Sequence, residues 1–287
     1  MLRKIVYVID GNNVVHRGHR AAERNPMRAA DGRVTSGIVH LWNVLKRCSA
    51  HSMYTAVAFD RYERELLHRC KLDPDYKGNR KATTPEEKQD REVIHWQMKM
   101  SRKLCRAAGI PLLGSKKYEA DDFIAAIARS DLEDAEIRVI TYDKDLTQLV
   151  NKRVRLYDTK LECTYDTRAV QAKFGIKPRQ ICHYLALTGD DVDNIPNVPG
   201  IGPGRASKLL STYGDLAGIY ANLHQIPKAQ AAALKENKKR VQLNCKLTKL
   251  YPVTQEFKLD DLRWKSPNKD KLDALYRTLG FVHSRWR

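Results

Sequence analysis

Apolar residues fall into short runs over the first half of the chain and into helical spacing over the second. The runs Lys4–Ile9, Tyr54–Phe59, Ile110–Leu113 and Glu136–Tyr142, with the shorter Val154–Tyr157 and Leu161–Tyr165, read as strands. Helical stretches lie between them at Thr35–His51, from about Pro85 to Ala108, and at Ala120–Ser130; the segment straight after Ile9 reads as a loop. This alternation predicts an α/β fold, a largely parallel central sheet flanked by helices. After Tyr165 the strands stop. Asp166–Phe174, Pro178–Leu187, Gly204–Tyr213, Asp215–Leu223 and Lys235–Lys249 all read as helices, joined by Gly/Pro punctuation. An α/β domain over residues 1–165 is therefore expected to pack against a helical region over 166–287, since no Ser- or Gly-rich linker separates them. There is no internal repeat and no low-complexity run.

At 287 residues and 42% hydrophobic, the chain can bury a sizeable core. Lys and Arg total 52 against 34 Asp and Glu, a net charge of +18. Such an excess points to a polyanionic partner. Acidic residues crowd into Glu119–Asp122 and Asp190–Asp193, so the remaining surface is more basic still. The cysteines, at 48, 70, 105, 163, 182 and 245, form no CxxC pair and lie near no His at zinc-finger spacing. They read as reduced thiols of a reducing compartment. No apolar run approaches the roughly 20 residues a bilayer requires. Residues 1–4 lead into a strand and not into a signal peptide. The expectation is a cytoplasmic, nucleoid-associated protein without a membrane partner.

The acids change the picture most. Strand Lys4–Ile9 runs into Asp10, Tyr54–Phe59 into Asp60, and Ile137–Tyr142 into Asp143, with Asp145 behind it. Ligands of α/β sheets bind beyond the carboxyl ends of the strands, so these carboxylates are expected at one rim. Grouped carboxylates resist ionising together, and a divalent cation is the simplest way to hold them. On an extended strand end Asp143 and Asp145 would face one ion while Lys144 faces elsewhere; for such a pair taken alone, a turn or an N-cap is the commoner explanation. Glu119, Asp121 and Asp122 open a helix, where acids also suit the helix dipole. Asp190 and Asp193, three apart, would share a face if helical. Hard oxygen donors suit magnesium or manganese. Two such ions about 4 Å apart can activate water and stabilise the leaving oxygen of a phosphodiester. On a basic chain, that suggests cutting a nucleic-acid backbone. No GxxxxGK[ST] or GxSxG motif is present.

Two further segments carry charge or glycine. In the loop 75–81, Lys77 and Arg80 could neutralise charge on a scissile phosphate, and Tyr76 could offer a face to a base; a solvated basic turn is the plain alternative. The segment 196–208 holds Gly200-Ile201-Gly202 and Gly204 before a helix, with Arg205 and Lys208 following. This is a helix-hairpin-helix signature. Glycines let backbone approach phosphate, and the helix start supplies N–H donors. Free carbonyls in such a turn could also hold a monovalent ion.

Taken together, Asp10-Gly-Asn-Asn, Asp75-Tyr-Lys-Gly-Asn-Arg80, Glu119-Ala-Asp-Asp122, Thr141-Tyr-Asp-Lys-Asp145, Gly189-Asp-Asp-Val-Asp-Asn194 and Gly200-Ile-Gly-Pro-Gly resemble the structure-specific 5′-nuclease (flap endonuclease) family. That family includes phage flap endonucleases and the 5′-nuclease domain of bacterial DNA polymerase I. The resemblance covers essentially the whole chain. It implies a PIN-like core and a helical arch at about 76–108, with the hairpin at about 181–213. It implies that Asp10, Asp60, Glu119, Asp121, Asp122, Asp143, Asp145, Asp190 and Asp193 line the metal site. By the same resemblance Lys77 and Arg80 contact the scissile phosphate, Arg17 helps position phosphate, Tyr76 stacks near terminal bases, and Lys81 lies on the arch. Carbonyls of Leu187, Pro196, Val198 and Ile201 would form a potassium site. The implied activity is flap endonuclease and 5′–3′ exonuclease on DNA flaps, ends and nicks, with RNA–DNA primers as further substrates and the chain acting as a monomer. Nothing like a polymerase follows Arg287, so a stand-alone nuclease is expected. The alternatives are a PIN-type RNA-cutting nuclease and a non-catalytic binder of branched DNA. The hairpin weighs against the first, and the full set of acids against the second.

Overall fold

The computed structural model describes residues 4–61, 63–80, 83–158 and 163–281; Lys81 and the start of the strand expected at Leu161–Tyr165 lie outside these. The elements run β1 (Ile5–Asp10), α1 (Gly11–Ala21), α2 (Ser36–His51), β2 (Thr55–Ala58), α3 (His68–Leu72), α4 (Pro85–Ala107), β3 (Leu112–Leu113), α5 (Ala120–Arg129), β4 (Glu136–Ile140), β5 (Val154–Asp158) and β6 (Cys163–Tyr165). The helical region follows with α6 (Thr167–Phe174), α7 (Ile181–Thr188), α8 (Pro203–Tyr213), α9 (Leu216–Ala221), α10 (Lys228–Glu236), α11 (Lys238–Thr248) and α12 (Lys269–Leu279). The strands form one sheet in the order β3-β2-β1-β4-β5-β6. All neighbours pair in parallel except β5 and β6.

β1 sits mid-sheet and is buried on both faces, hence its nearly continuous apolar run. Its side chains alternate. Val6 and Val8 join one core with α5, Leu187, Leu210 and other residues of the helical region. Tyr7 and Ile9 join a second core with α1, α2, α4 and α12. The helical region thus shares a hydrophobic core with one face of the sheet. Among the described residues no helix is long and apolar enough to cross a membrane.

The structure corrects several expectations. Residues 11–21 form α1, not a loop; the opening Gly11-Asn12-Asn13 masks a buried stripe of Val14, Val15, Gly18 and His19. A Cβ on Gly18 would stand 2.3 Å from that of His40, so glycine lets α1 press against α2. The helix expected over Lys235–Lys249 is broken at Asn237 into α10 and α11, the Asn237 side chain donating to the carbonyl of Ala233. α12 had no counterpart in the sequence reading; it is capped by Asn268 and ended by Gly280 in the left-handed region.

α4 occupies the arch segment. Pro85 starts it, and Thr84 and Glu87 form a capping box. Its second half is buried through Ile94, Met98, Leu104 and Cys105, whereas its first turns are exposed. Asp90 is its tether to α1, accepting from His19 at 2.8 Å and from Arg20 at 2.7 Å. Between α4 and the sheet rim lies a cleft of about 1100 Å³, with Arg20, Arg61, Arg80, Arg91, Lys99 and Arg102 in its wall together with Asp60.

Candidate active site

The sheet order reverses at β1, which has β2 on one side and β4 on the other. In doubly wound sheets the crevice opens at this switch point, beyond the carboxyl ends of the strands. Asp10 closes β1 and caps α1, accepting from the Asn13 N–H at 3.0 Å. Its second oxygen accepts from the Thr141 hydroxyl, just past β4, also at 3.0 Å. Asp60, two residues past β2, accepts from the Ala120 N–H at the start of α5 at 2.8 Å and from the Asn12 amide at 3.3 Å. Residues from β1, β2, β4 and α5 therefore meet at one rim.

Their electrostatics report the crowding. Burial, reinforced by the charges of Asp143 and Asp60, pushes the Asp10 carboxyl up to about 7. Burial and the charges of Asp10, Asp143 and Asp60 hold Asp121 well above the carboxylate range. Asp60 and Asp143 are raised by burial and then by Glu119, and by Asp193 and Asp190, respectively. Asp145 is raised by burial and by Asp143 and Asp190. Its Oδ1 is buried with no hydrogen-bond partner among the described residues. Grouped anionic oxygens with an orphaned, buried carboxylate oxygen among them are donors suited to a hard cation. As placed, no three Asp, Glu, His or Cys side chains among the described residues form a ready ion cage. The reason is visible in the partners, because several of the expected ligands are turned to cations of the protein itself.

Asp122 is the clearest case. It is buried, pairs with both terminal nitrogens of Arg69 at 2.8 Å, and accepts from the N–H groups of Glu119 (3.1 Å) and Tyr251 (2.7 Å). Its lone pairs are occupied, so it leaves the ligand set and acts as the anchor of Arg69. Glu119 is bound by Arg69 at 2.6 Å and by the ammonium of Lys77. Against its burial, Lys77 and Arg69 hold it down at about 2. Asp190 accepts from Lys144 at 2.9 Å, so Lys144 faces the acids and not away from them. Asp193 accepts from Tyr76 at 2.8 Å and from Arg80 at 2.5 Å. Segment 190–193 is a turn closed by an Asp190–Ile195 bridge, and Asp190 and Asp193 face different partners. Asp143 and Asp145 do not lie on a strand end: β4 stops at Ile140 and Asp145 opens a 3-10 turn, its N–H donating to Asp143 at 2.8 Å.

Tyr76 also departs from expectation. It is 3% exposed, and its hydroxyl is bonded to Glu119 and Asp193. A ring in that position cannot stack on a base. Lys77, in the left-handed region, bridges Glu119 and, at 3.7 Å, Asp193. Although burial opposes its charge, Glu119 and Asp193 raise its pKa and keep it protonated. Arg80 stands at the mouth with 43% of its side chain exposed. Arg17, on α1, lies flat over Tyr142 with its guanidinium 3.6 Å from the ring centre.

The hairpin joins α7 to α8. Gly200 has positive φ, and its carbonyl accepts from Arg205 at 2.5 Å. Gly202 and Gly204 face open space, and Lys208 is exposed on α8. Of the expected potassium carbonyls, Leu187 accepts from Val198, Pro196 from Asn244 and Val198 from Ile201.

Sequence reasoning missed Arg69, Asn12, Asn13 and Thr141. The two asparagines follow Asp10 closely and had a signal: Asn12 ties Asp60 to the start of α1, and Asn13 accepts from the Tyr142 N–H at 3.0 Å. Arg69 had none, because its partners are 50 and more residues away.

An acidic crevice at a sheet switch point, a basic cleft under a long helix and a glycine hairpin together define an α/β nuclease core joined to a helical hairpin region. Residues 5–175 match the family model of the 5′–3′ exonuclease N-terminal resolvase-like domain, and residues 176–270 that of the 5′–3′ exonuclease C-terminal SAM fold. The chain belongs to the 5′–3′ exonuclease family. It is 33% identical to the 5′–3′ exonuclease of Aquifex aeolicus, covering 94% of this chain and 90% of that protein. It is 34% identical to DNA polymerase I of Bacillus caldotenax, covering 98% of this chain but 32% of that protein, so it spans about a third of that relative. Among solved structures, T5 5′-exonuclease with bound zinc superposes with a TM-score of 0.75 at 22% identity, over 98% of this chain and all of that one. The T5 D15 flap endonuclease in a pseudo-enzyme-product complex with DNA and metal ions has a TM-score of 0.70 at 22% identity, over 95% of this chain and 99% of that one. At these identities the likeness establishes the fold.

Proposed function

We propose that the chain is a structure-specific 5′ nuclease that hydrolyses DNA phosphodiesters at 5′ flaps and ends, and that it does so with divalent metal. The observation that carries this reading is the mutual crowding of Asp10, Asp121, Asp143 and Asp145 beside a basic cleft, in a chain of the 5′–3′ exonuclease family. These four acids, with Asp60, Asp190 and Asp193 around them, would hold magnesium or manganese, two ions or more. When bound, the metal supplies an activated water and neutralises charge on the leaving oxygen.

The protein's own groups do the rest. Lys77 stays charged between Glu119 and Asp193 and would meet a phosphate oxygen. Arg80 and Arg17 add positive charge around the crevice. The open space beside Gly202 and Gly204 would let duplex backbone approach the start of α8 without reading sequence. The carbonyls of Leu187, Pro196 and Val198 each accept a single bond named above and keep a second lone pair for potassium, with Ile201 as a fourth donor. A basic monomer acting on flaps, nicks and RNA–DNA primers fits this surface.

The test is a cleavage map on a labelled 5′ flap with magnesium, with calcium and with EDTA. Cleavage near the flap junction with magnesium alone is expected. Asp145→Asn should abolish cleavage and keep flap binding in calcium; turnover retained in that variant would remove Asp145 from the metal site. Preferred cutting of single-stranded RNA would point to an RNA nuclease instead.

A further inference from the structure

Cys182 on α7 and Cys245 on α11 are free thiols with their sulfurs 3.6 Å apart. Both residues are partly exposed, so an oxidant can reach them. The surroundings favour an asymmetric pair. Cys182 Sγ lies 3.5 Å from the Thr248 hydroxyl, and Cys245 Sγ lies 3.9 Å from His183 Nδ1. We propose that Cys182 and Cys245 form a reversible disulfide that bonds the first hairpin helix to α11.

The contact with Cys182 and the charge of Lys249 draw Cys245 down to about 7 against its burial, while Cys182 is raised. Cys245, the sulfur that lies beside the His183 imidazole at 3.9 Å and is shifted toward the thiolate, takes the part of the attacking sulfur, since the thiolate is the nucleophile. With a peroxide as oxidant, the Cys245 thiolate forms an S–O bond and the O–O bond breaks, releasing hydroxide that leaves as water. The sulfur loses two electrons to the peroxide. Cys182, giving up its proton, then attacks the sulfenic sulfur; the S–S bond forms, the S–O bond breaks and a second water departs. The sulfurs close by about 1.5 Å, within reach of side-chain rotation.

The bond would act at a joint. Asn244, beside Cys245, donates to the carbonyls of Ala186 at 3.1 Å and Pro196 at 2.7 Å, at the two sides of the hairpin loop. Three and five residues beyond Asn244, the carbonyls of Leu247 and Lys249 accept from Arg69, the partner of Glu119 and Asp122. α11 thus straps the hairpin to the acid rim, and the disulfide would fix α7 to that strap.

The full-length protein, treated with dilute hydrogen peroxide and then alkylated, tests this. The free thiol count should fall from the six of the sequence to four, and a peptide map should show Cys182 joined to Cys245, reversed by dithiothreitol. In the reduced protein at pH 7, Cys245 should be alkylated on the order of tenfold faster than Cys182. Cys182→Ser should leave a sulfenic acid at Cys245 that dimedone traps. Six intact thiols, a bond from either cysteine to another residue, or dimers between chains would overturn the proposal. The map of the unsubstituted protein decides the matter even if the serine variant fails to fold.

Discussion

Replacing Arg69 with methionine should unfold the junction between the acid rim and the helical region. Arg69 is 4% exposed and joins segments far apart in sequence. Its terminal nitrogens bind Glu119 at 2.6 Å and Asp122 twice at 2.8 Å, and it donates to the carbonyls of Leu247 at 2.8 Å and Lys249 at 3.0 Å. Methionine keeps the apolar stem and removes every one of these bonds. Glu119 retains Lys77 and Tyr76, but Asp122 is left with two backbone N–H groups and no cation. Breaking a buried ion pair by deleting one partner costs about 3–5 kcal/mol. For a chain of 287 residues, that is a fall in Tm of roughly 5–8 °C. Thermal and urea unfolding at pH 7 measure it. The double variant Arg69→Met/Asp122→Leu removes the stranded charge and should regain about half or more of the loss, because an apolar pair often replaces a buried ion pair at little cost. A loss below about 1 kcal/mol for the single variant, or no recovery in the double, would refute the assignment of Asp122 as an anchor rather than a metal ligand.

Metal-free protein should gain stability as pH falls from about 7 toward 5. The folded pKa of Asp10, about 7, lies above its unfolded value near 3.8, so the folded state binds that proton more tightly, and Asp121, Asp143 and Asp145 shift in the same direction. Below the 3.8 of the unfolded aspartates their gain is complete and the trend should reverse, because Glu119, held at about 2, contributes stability only while ionised. Melting curves in EDTA across pH check both limbs, and magnesium should flatten the first. Tyr76→Phe loses a hydroxyl shared by Glu119 and Asp193 and should cost about 1–3 kcal/mol with flap affinity unchanged; a tenfold affinity loss at full stability would return Tyr76 to the DNA. Gly18→Ala forces a Cβ to 2.3 Å from that of His40 and should destabilise by about 1–3 kcal/mol, read by denaturant titration.

Periodicity placed β1, α2, α4 and α5 to within a residue or two, since their apolar stripes are long and their caps are local. It missed α1 and α12, whose patterns are short or opened by Gly-Asn-Asn and Asn-Lys-Asp. The acids of the rim were legible because strand order in an α/β sheet sends strand ends to one edge, whatever the loops between them do. Which acids stay available was not legible. Asp121 and Asp122 are neighbours in the same helical turn, yet one faces Asp10 and Asp143 while the other is filled by Arg69. Tyr76 stands beside Lys77 in a basic loop, yet its ring is buried and its hydroxyl bonded between two acids. Residue type and spacing determined where negative charge would collect. The partner of each charge was decided only by folding, because a buried ion pair or hydrogen bond joins residues that no local pattern brings together.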